Sequence, residues 1–553
     1  MDNSGAEDLI PVDIWTTPIE IEDVEQEVKA QIGYNKADIT APYDREDFDV
    51  EIVGEYSAEQ VDAYIAAERT IYVERQLNAT EQFLNSCANI VNLQASRNTE
   101  NIFVSKFAPL IRVELTKQEI ETISNNEFVE VLYYSPPVEM IAETLTSIPT
   151  IQANYTRDTM GLDGSGVKIG MIEPSEPDRT KPYFTAGNFF FDTSKSRAHH
   201  PHSDMVAAIM VAKSYGGFKG IVPNAKLYSA YNSTDTQWND RIEWLLLQNV
   251  NVINMSAYLG DGTTASYESP ERWTDHIAIN HSVHFVKSSG NNGGNVTSPG
   301  MAYNIITVGA INDNNTPSQT DDGFTTYSSY IQGSLLTNKP DLVAPGGNET
   351  PEINIQSAAG SDLGTSYSAP HVTGIVAQLC QKTPALKTMQ DTVKSIITAG
   401  INHNHISYYT SSTGQNFDKM GAGCVDAKGA YYVTNSARYV SANFAANTTA
   451  GTTRNYTFNT TSADTVIRVS LSWLKYSTLS GTHSSATPTV GTLADLDLHV
   501  YDKNNDPVGT GNSVYNNTEI VQFTPSASLS PYRIEVKQYA NSDRTVYYTV
   551  SWY

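Results

Sequence analysis

Between about residues 148 and 435, short apolar runs alternate with helix-like stretches. Val167–Ile172 (VKIGMI), Val250–Met255 (VNVINM), Val283–Val286, Asn304–Val308 and Asp341–Val343 read as strands. They are continuously apolar, which predicts a parallel sheet covered by helices on both faces. In such sheets chemistry collects beyond the carboxyl ends of the strands. From about 438 to 553 the texture changes. Val466–Trp473, Leu496–Tyr501, Ile520–Phe523, Tyr532–Val536 and Val546–Trp552 are strand-like, with Asn, Gly and Ser turns between them, so an all-β sandwich or barrel is expected. Upstream, Ala63–Leu93 is helix-like and Leu110–Leu115 (LIRVEL) alternates as a strand. Lys117–Ile123 is a short amphipathic helix, Phe128–Tyr134 a second strand, and Pro136 and Pro137 close an α+β unit. Residues before about 60 keep no period and read as a partly ordered extension. The expected division is 1–60, 61–145, 146–437 and 438–553.

At 553 residues the chain exceeds one hydrophobic core. With 40% hydrophobic and 17% charged residues it is a globular chain. Its 35 basic and 61 acidic residues give a net charge of −26, which repels phosphate backbones and speaks against nucleic-acid partners. More than half of that excess lies in residues 1–60, where 17 acidic residues face 3 basic ones. No run reaches the roughly 18–20 apolar residues of a membrane span. Cys87, Cys380 and Cys424 are too few for a disulfide framework, lack metal-ligand spacing and read as buried thiols. Abundant Tyr, Asn, Thr and Ser with little Lys suit an extracellular or cell-envelope protein. Met1-Asp2-Asn3-Ser4-Gly5 begins neither a basic nor an apolar signal region, so the expectation is an export signal already removed or an intracellular chain.

Four segments carry chemistry. Gly364-Thr365-Ser366-Tyr367-Ser368-Ala369-Pro370-His371-Val372 opens a helix, placing Ser366 where unpaired N–H groups and the positive helix end converge. His202-Ser203-Asp204-Met205-Val206-Ala207-Ala208 sets a histidine at the start of a small-residue helix. The Val167–Ile172 strand ends in Glu173-Pro174-Ser175, and Ser288-Ser289-Gly290-Asn291-Asn292-Gly293 follows another strand. Together they resemble the subtilisin-like serine peptidases, in the order acid, base, oxyanion donor, nucleophile. Val252–Ser256, Lys339–Gly346 and Gly421–Ala427 read as further landmarks of that family.

The resemblance implies a subtilisin-like parallel sheet, a ferredoxin-like α+β propeptide-like domain before it and a β-sandwich after it. It implies a serine endopeptidase with Ser366 as nucleophile, His202 as base and Asn291 as oxyanion donor. Ser256, Ala257, Ser289 and Gly290 would bind substrate. Glu173 stands where the family has aspartate, and Asp178 is the alternative acid if the turn folds back. Ser203, Asp204, Met205 and Ala208 also depart from the family's pattern. The implied partners are polypeptide substrates and the propeptide-like domain itself, acting as an intramolecular inhibitor cleaved between Pro137 and Ile151. No cofactor is required for the chemistry. Asp495 and Asp497 alternate onto one strand face before Asp502, Asn504 and Asp506, a carboxylate-rich setting that suits either structural Ca²⁺ or a solvated polar turn. Two rivals stand beside this reading: a catalytically silent peptide-binding relative, and a zinc site built from His199, His200 and His202.

Overall fold

The computed structural model describes residues 10–16, 24–33, 59–71, 88–89, 91, 102–105, 110–134, 147–193, 199–231, 238–259, 266–331, 337–350, 352–401, 419–461, 464–476, 493–540, 542 and 544–553. Cys87, Pro136, Pro137 and most of the 137–151 cleavage window lie outside them. In the N-terminal unit, β1 (Ile10–Thr16) and α1 (Val24–Ile32) precede a helix over residues 59–71 (α2). β2 (Phe103–Val104), β3 (Leu110–Leu115), α3 (Lys117–Ile123) and β4 (Val129–Tyr134) follow. The sheet runs β2-β3-β1-β4 with every neighbour antiparallel, the order of a ferredoxin-like split βαβ sheet. One expectation needs correcting here. β1 comes from the stretch read as an acidic extension, yet it is a central strand, so a boundary at residue 60 cuts through the sheet. The reason is a non-local pair: Asp13 is fully buried and Arg112 on β3 donates to both its oxygens, at 2.5 and 2.8 Å. A buried carboxylate is tolerable only when its charge is met in this way.

The central unit supplies the predicted parallel sheet. Its strands are β5 (Lys168–Glu173), β6 (Phe189–Phe191), β7 (Lys226–Tyr231), β8 (Val252–Met255), β9 (His284–Ser288), β10 (Ile306–Asn312), β11 (Gly323–Phe324) and β12 (Leu342–Pro345). They are ordered β11-β10-β9-β8-β5-β7-β6, with β12 also on β10 and only β11 antiparallel. One face packs against α4 (Pro201–Val211), α7 (Thr365–Lys382) and α8 (Gln390–Ala399), and the other against α5 (Trp238–Leu247) and α6 (Ser269–Asn280). Burial on both faces explains why these strands are continuously apolar.

The N-terminal unit docks on α5 and α6. Trp15 and Leu110 join the cluster of Trp238, Ile242, Leu245, Trp273 and Ile277. Trp15 Nε1 donates to Ser269 Oγ at 2.5 Å, Ser269 Oγ donates to Asp13 Oδ2 at 2.7 Å, and the Arg272 guanidinium stacks 4.5 Å from the Trp15 ring. Arg69 on α2 donates at 3.0 Å to each of the Leu246, Val250 and His281 carbonyls, tying α2 to the ends of α5 and α6.

Two short hairpins, β13–β14 (348–353) and β15–β16 (355–362), and α9 (Ala427–Asn435) complete the central unit. The C-terminal unit holds two four-stranded antiparallel sheets. One is β17 (Tyr439–Phe444), β24 (Val546–Trp552), β19 (Ile467–Trp473) and β22 (Thr518–Phe523). The other is β18 (Thr453–Phe458), β23 (Tyr532–Gln538), β20 (Leu496–Tyr501) and β21 (Pro507–Gly511). Val469, Leu471 and Trp473 fill the core between the sheets. The alternate Ser470 turns to α8, accepting Ser395 Oγ on its carbonyl at 2.9 Å and meeting Thr398 Oγ1 at 2.7 Å. Cys380 and Cys424 are buried thiols, and burial pushes Cys380 up to about 12. Among the described residues no helix is long and apolar enough to cross a membrane.

Two buried histidines predict an acid-sensitive fold. His284 meets the Leu386 carbonyl at 2.7 Å and His371 meets the Tyr367 carbonyl at 2.6 Å, and burial lowers both to about 4 from an ordinary 6.5. The unfolded chain then binds more protons than the folded one between pH 6.5 and 4, so stability falls as pH drops through that window. The loss is on the order of 3 kcal/mol per histidine by about pH 4. Buried Glu271, raised to about 7, acts in the opposite sense between its ordinary 4.5 and 7. Urea unfolding at pH 6.5, 5.5 and 4.5 should therefore give falling midpoints for the wild-type chain. A flatter profile is expected for the His284→Gln/His371→Gln variant.

Candidate active site

Glu173 is the last residue of β5 and is fully buried. Its Oε2 lies 3.2 Å from His202 Nδ1, and its Oε1 accepts the Ser256 N–H at 3.3 Å. His202 is the second residue of α4, behind Pro201 at the position where a missing N–H costs nothing. Its backbone N–H donates to the ring of the capping residue His200 at 3.2 Å. The His202 ring stands 5.5 Å from that of Tyr367, the residue after Ser366.

Ser366 is the second residue of α7 and is 5% exposed. The helix is entered through Gly364 at φ +147, where a Cβ would stand 2.9 Å from Asn291 Nδ2, so glycine is needed both for the backbone and for the space. Ser256 ties this segment to the acid. It gives its N–H to Glu173, its carbonyl accepts Ser366 Oγ at 3.2 Å, and its own hydroxyl donates to the Ser366 carbonyl at 2.5 Å. That carbonyl is available because Pro370, four residues on, has no N–H to offer it.

Asn291 follows β9. Its Oδ1 accepts both the N–H and the hydroxyl of Thr365, at 2.9 and 2.7 Å. Two donors on one atom fix the amide's orientation and leave Nδ2 as the outward donor. Thr365 Oγ1 also accepts the Gly290 N–H at 3.1 Å, so one threonine registers the turn against the helix start. With the backbone N–H of Ser366, Asn291 Nδ2 can stabilise negative charge on an attacked carbonyl oxygen. Asn291→Ala should lower kcat by about 10²–10³ with little change in KM, measured on a chromogenic peptide.

The expected substrate-binding residues follow two neighbouring parallel strands. Ser256 and Ala257 follow β8, and Ser289 and Gly290 follow β9, the first three being at most 1% exposed. Ser289 uses its N–H on the Val308 carbonyl and its carbonyl on the Thr297 N–H. Beneath them, Lys287 donates to the Ser288 carbonyl at 2.5 Å and to Thr297 Oγ1 at 3.1 Å, and burial lowers its ammonium to about 7.

Two alternative assignments are corrected, the acid at Asp178 and the zinc site. Asp178 is not the acid: its carboxylate accepts the Thr180 N–H and hydroxyl at 2.9 and 2.6 Å, because the turn folds outward. His199, His200 and His202 do not converge. His199 meets Asp204 at 2.9 Å, His200 caps α4 and His202 faces Glu173. Asp497 has Lys537 Nζ and His499 Nε2 each at 3.9 Å, and burial raises the carboxyls of both Asp495 and Asp497. Among the described residues, no three His, Cys, Asp or Glu are arranged to hold a metal ion. Sequence reasoning missed Thr365, Pro370 and the bridging role of Ser256. The first two stand inside the nucleophile segment, where a capping hydroxyl and an in-helix proline are legible signals.

Residues 146–405 match the model of the subtilase family (Peptidase_S8). The chain is 24% identical to the alkaline elastase YaB of Bacillus sp. (strain YaB) over 338 residues, 59% of this chain and 80% of that one. It is 26% identical to the serine protease AprX of Bacillus subtilis (strain 168) over 312 residues, 49% of this chain and 68% of that one. Among solved structures, the patellamide maturation protease PatA aligns at 18% identity with a TM-score of 0.37, covering 49% of this chain and 98% of that one.

Proposed function

We propose, from the match of residues 146–405 to the subtilase family model, that this chain is an endopeptidase working through a Ser366–His202–Glu173 triad. The observation that carries the reading is the 3.2 Å approach of Glu173 to His202, with Ser256 joining the same carboxylate to Ser366. Ser366 Oγ leaves its Ser256 carbonyl partner and attacks the peptide carbonyl carbon as His202 Nε2 takes its proton. Glu173 holds the imidazole with its proton on Nδ1 and compensates the imidazolium charge. Asn291 Nδ2 and the Ser366 N–H bind the oxyanion. His202 returns the proton to the leaving amine, and water then attacks the ester by the same route in reverse. The chemistry uses side chains and backbone alone.

The N-terminal unit, lodged on α5 and α6, acts in this reading as an intramolecular inhibitor and folding aid, released by cleavage between residues 137 and 151. Function outside the cell, after maturation, follows from the same reading, and a structural calcium at Asp495 and Asp497 is a separate part of the proposal. A second reading, a peptide-binding protein without turnover, draws on the Ser366 hydroxyl being bonded to the Ser256 carbonyl. Casein digestion separates the two. The peptidase reading requires hydrolysis that disappears in Ser366→Ala and survives zinc chelation; a matured wild-type chain that binds casein without cutting it would support the second.

A further inference from the structure

Two of the residues that depart from the family's histidine segment face the loop that follows Glu173. Ser203 Oγ donates to the Ser175 carbonyl at 2.9 Å and lies 2.5 Å from Ser175 Oγ. Asp204 Oδ1 accepts the Asp178 N–H at 2.6 Å, and its Oδ2 lies 2.9 Å from His199 Nε2. His199 also forms a parallel bridge with Glu176. Ser175, Ser203 and Asp204 are each at most 3% exposed, so these bonds are shielded from competing water.

The third departure is Glu173 itself. A glutamate has one more rotatable bond than an aspartate, and its carboxylate reaches further from the backbone by about 1.5 Å. Holding it at one imidazole nitrogen needs a fixed backbone on both sides. Up to Glu173, β5 is laddered to β7, ending in the pair Glu173–Tyr231. Beyond it the ladder stops, and the contacts of Ser203 and Asp204 take over.

We propose that Ser203 and Asp204 are positioning residues that clamp the 175–178 loop to α4, so that the longer acid stays registered against His202. This rests on the peptidase reading for its consequence, but the clamp itself can be read without turnover. The Nδ1–H of an imidazole bonded to a carboxylate gives a proton resonance far downfield of the amides, whether or not any peptide is cut. The full-length chain should show it, and Glu173→Gln should remove it, which assigns it. Ser203→Ala/Asp204→Ala should broaden or abolish it with an unchanged far-ultraviolet circular dichroism spectrum. Asp204→Asn, which keeps an acceptor for the Asp178 N–H, should retain most of it.

In turnover the double variant should lose about tenfold in kcat with KM within about twofold. In a Glu173→Gln background the same pair should cost less than about twofold, since the clamp acts only through that carboxylate. An unaltered resonance in the double variant overturns the clamp, as do equal fold-losses in both backgrounds. If the double variant does not fold, Ser203→Ala, which removes one hydroxyl, carries the same test. A wild-type chain without the resonance overturns the clamp directly. A wild-type chain with the resonance but no peptidase activity refutes only the peptidase reading.

Discussion

Ser366→Ala is expected to lower kcat by about 10⁴–10⁶ while leaving KM and the unfolding midpoint close to wild type. In the proposed mechanism this hydroxyl forms the acyl bond, so no neighbour can replace it. Ser256 is the nearest rival by position, but its hydroxyl is committed to the Ser366 carbonyl at 2.5 Å. Residual hydrolysis in the variant, some 10³–10⁴ above water, would come from Asn291 and the backbone N–H of residue 366. The fold should tolerate the change, since the lost bond is one neutral 3.2 Å contact to the Ser256 carbonyl, worth about 1 kcal/mol. Steady-state kinetics on a chromogenic peptide, with a thermal scan beside it, checks both halves.

The second large effect belongs to Glu173. Glu173→Gln keeps shape and volume but can set an amide N–H against His202 Nδ1, favouring the tautomer with its proton on the wrong nitrogen. A loss of about 10³–10⁴ in kcat is expected, with KM within about twofold. Glu173→Asp is the more informative change, because it restores the family's residue type. Here it withdraws the carboxylate by about 1.5 Å from a nitrogen it now meets at 3.2 Å, so kcat should fall roughly 10- to 100-fold. A rise in kcat for Glu173→Asp would mean that the backbone is not matched to the longer acid.

How much of this was legible in the chain depends on how local each determinant is. The central sheet could be read because double-sided burial writes itself as continuous apolar runs such as Val167–Ile172. The candidate site could be proposed from sequence because each member sits in a short motif at a strand end or helix start. What escaped was non-local. β1 lies in an acidic tract with Pro11 and Asp13 inside it, and Asp13 is acceptable only because Arg112, 99 residues away, meets it. β7, Lys226–Tyr231, mixes Lys, Tyr and Ser with its apolar residues and gives a weak strand signal. The bridge through Ser256 depends on β8 lying beside β5 in the sheet, an adjacency that no local pattern encodes. Asp178 stayed open as an alternative acid for the converse reason. A carboxylate five residues from Glu173 is close in sequence, but an Asx-type turn onto Thr180 points it away.

The most direct test is covalent. After cleavage in the 137–151 window, the chain is treated with a fluorophosphonate and the adduct is mapped by peptide mass spectrometry. One phosphonyl group per chain on Ser366, absent from Ser366→Ala and formed at least about 100-fold more slowly in Glu173→Gln, is the predicted result. A processed, folded chain that takes up no label on Ser366, or that labels equally fast without the Glu173 carboxylate, would contradict the triad.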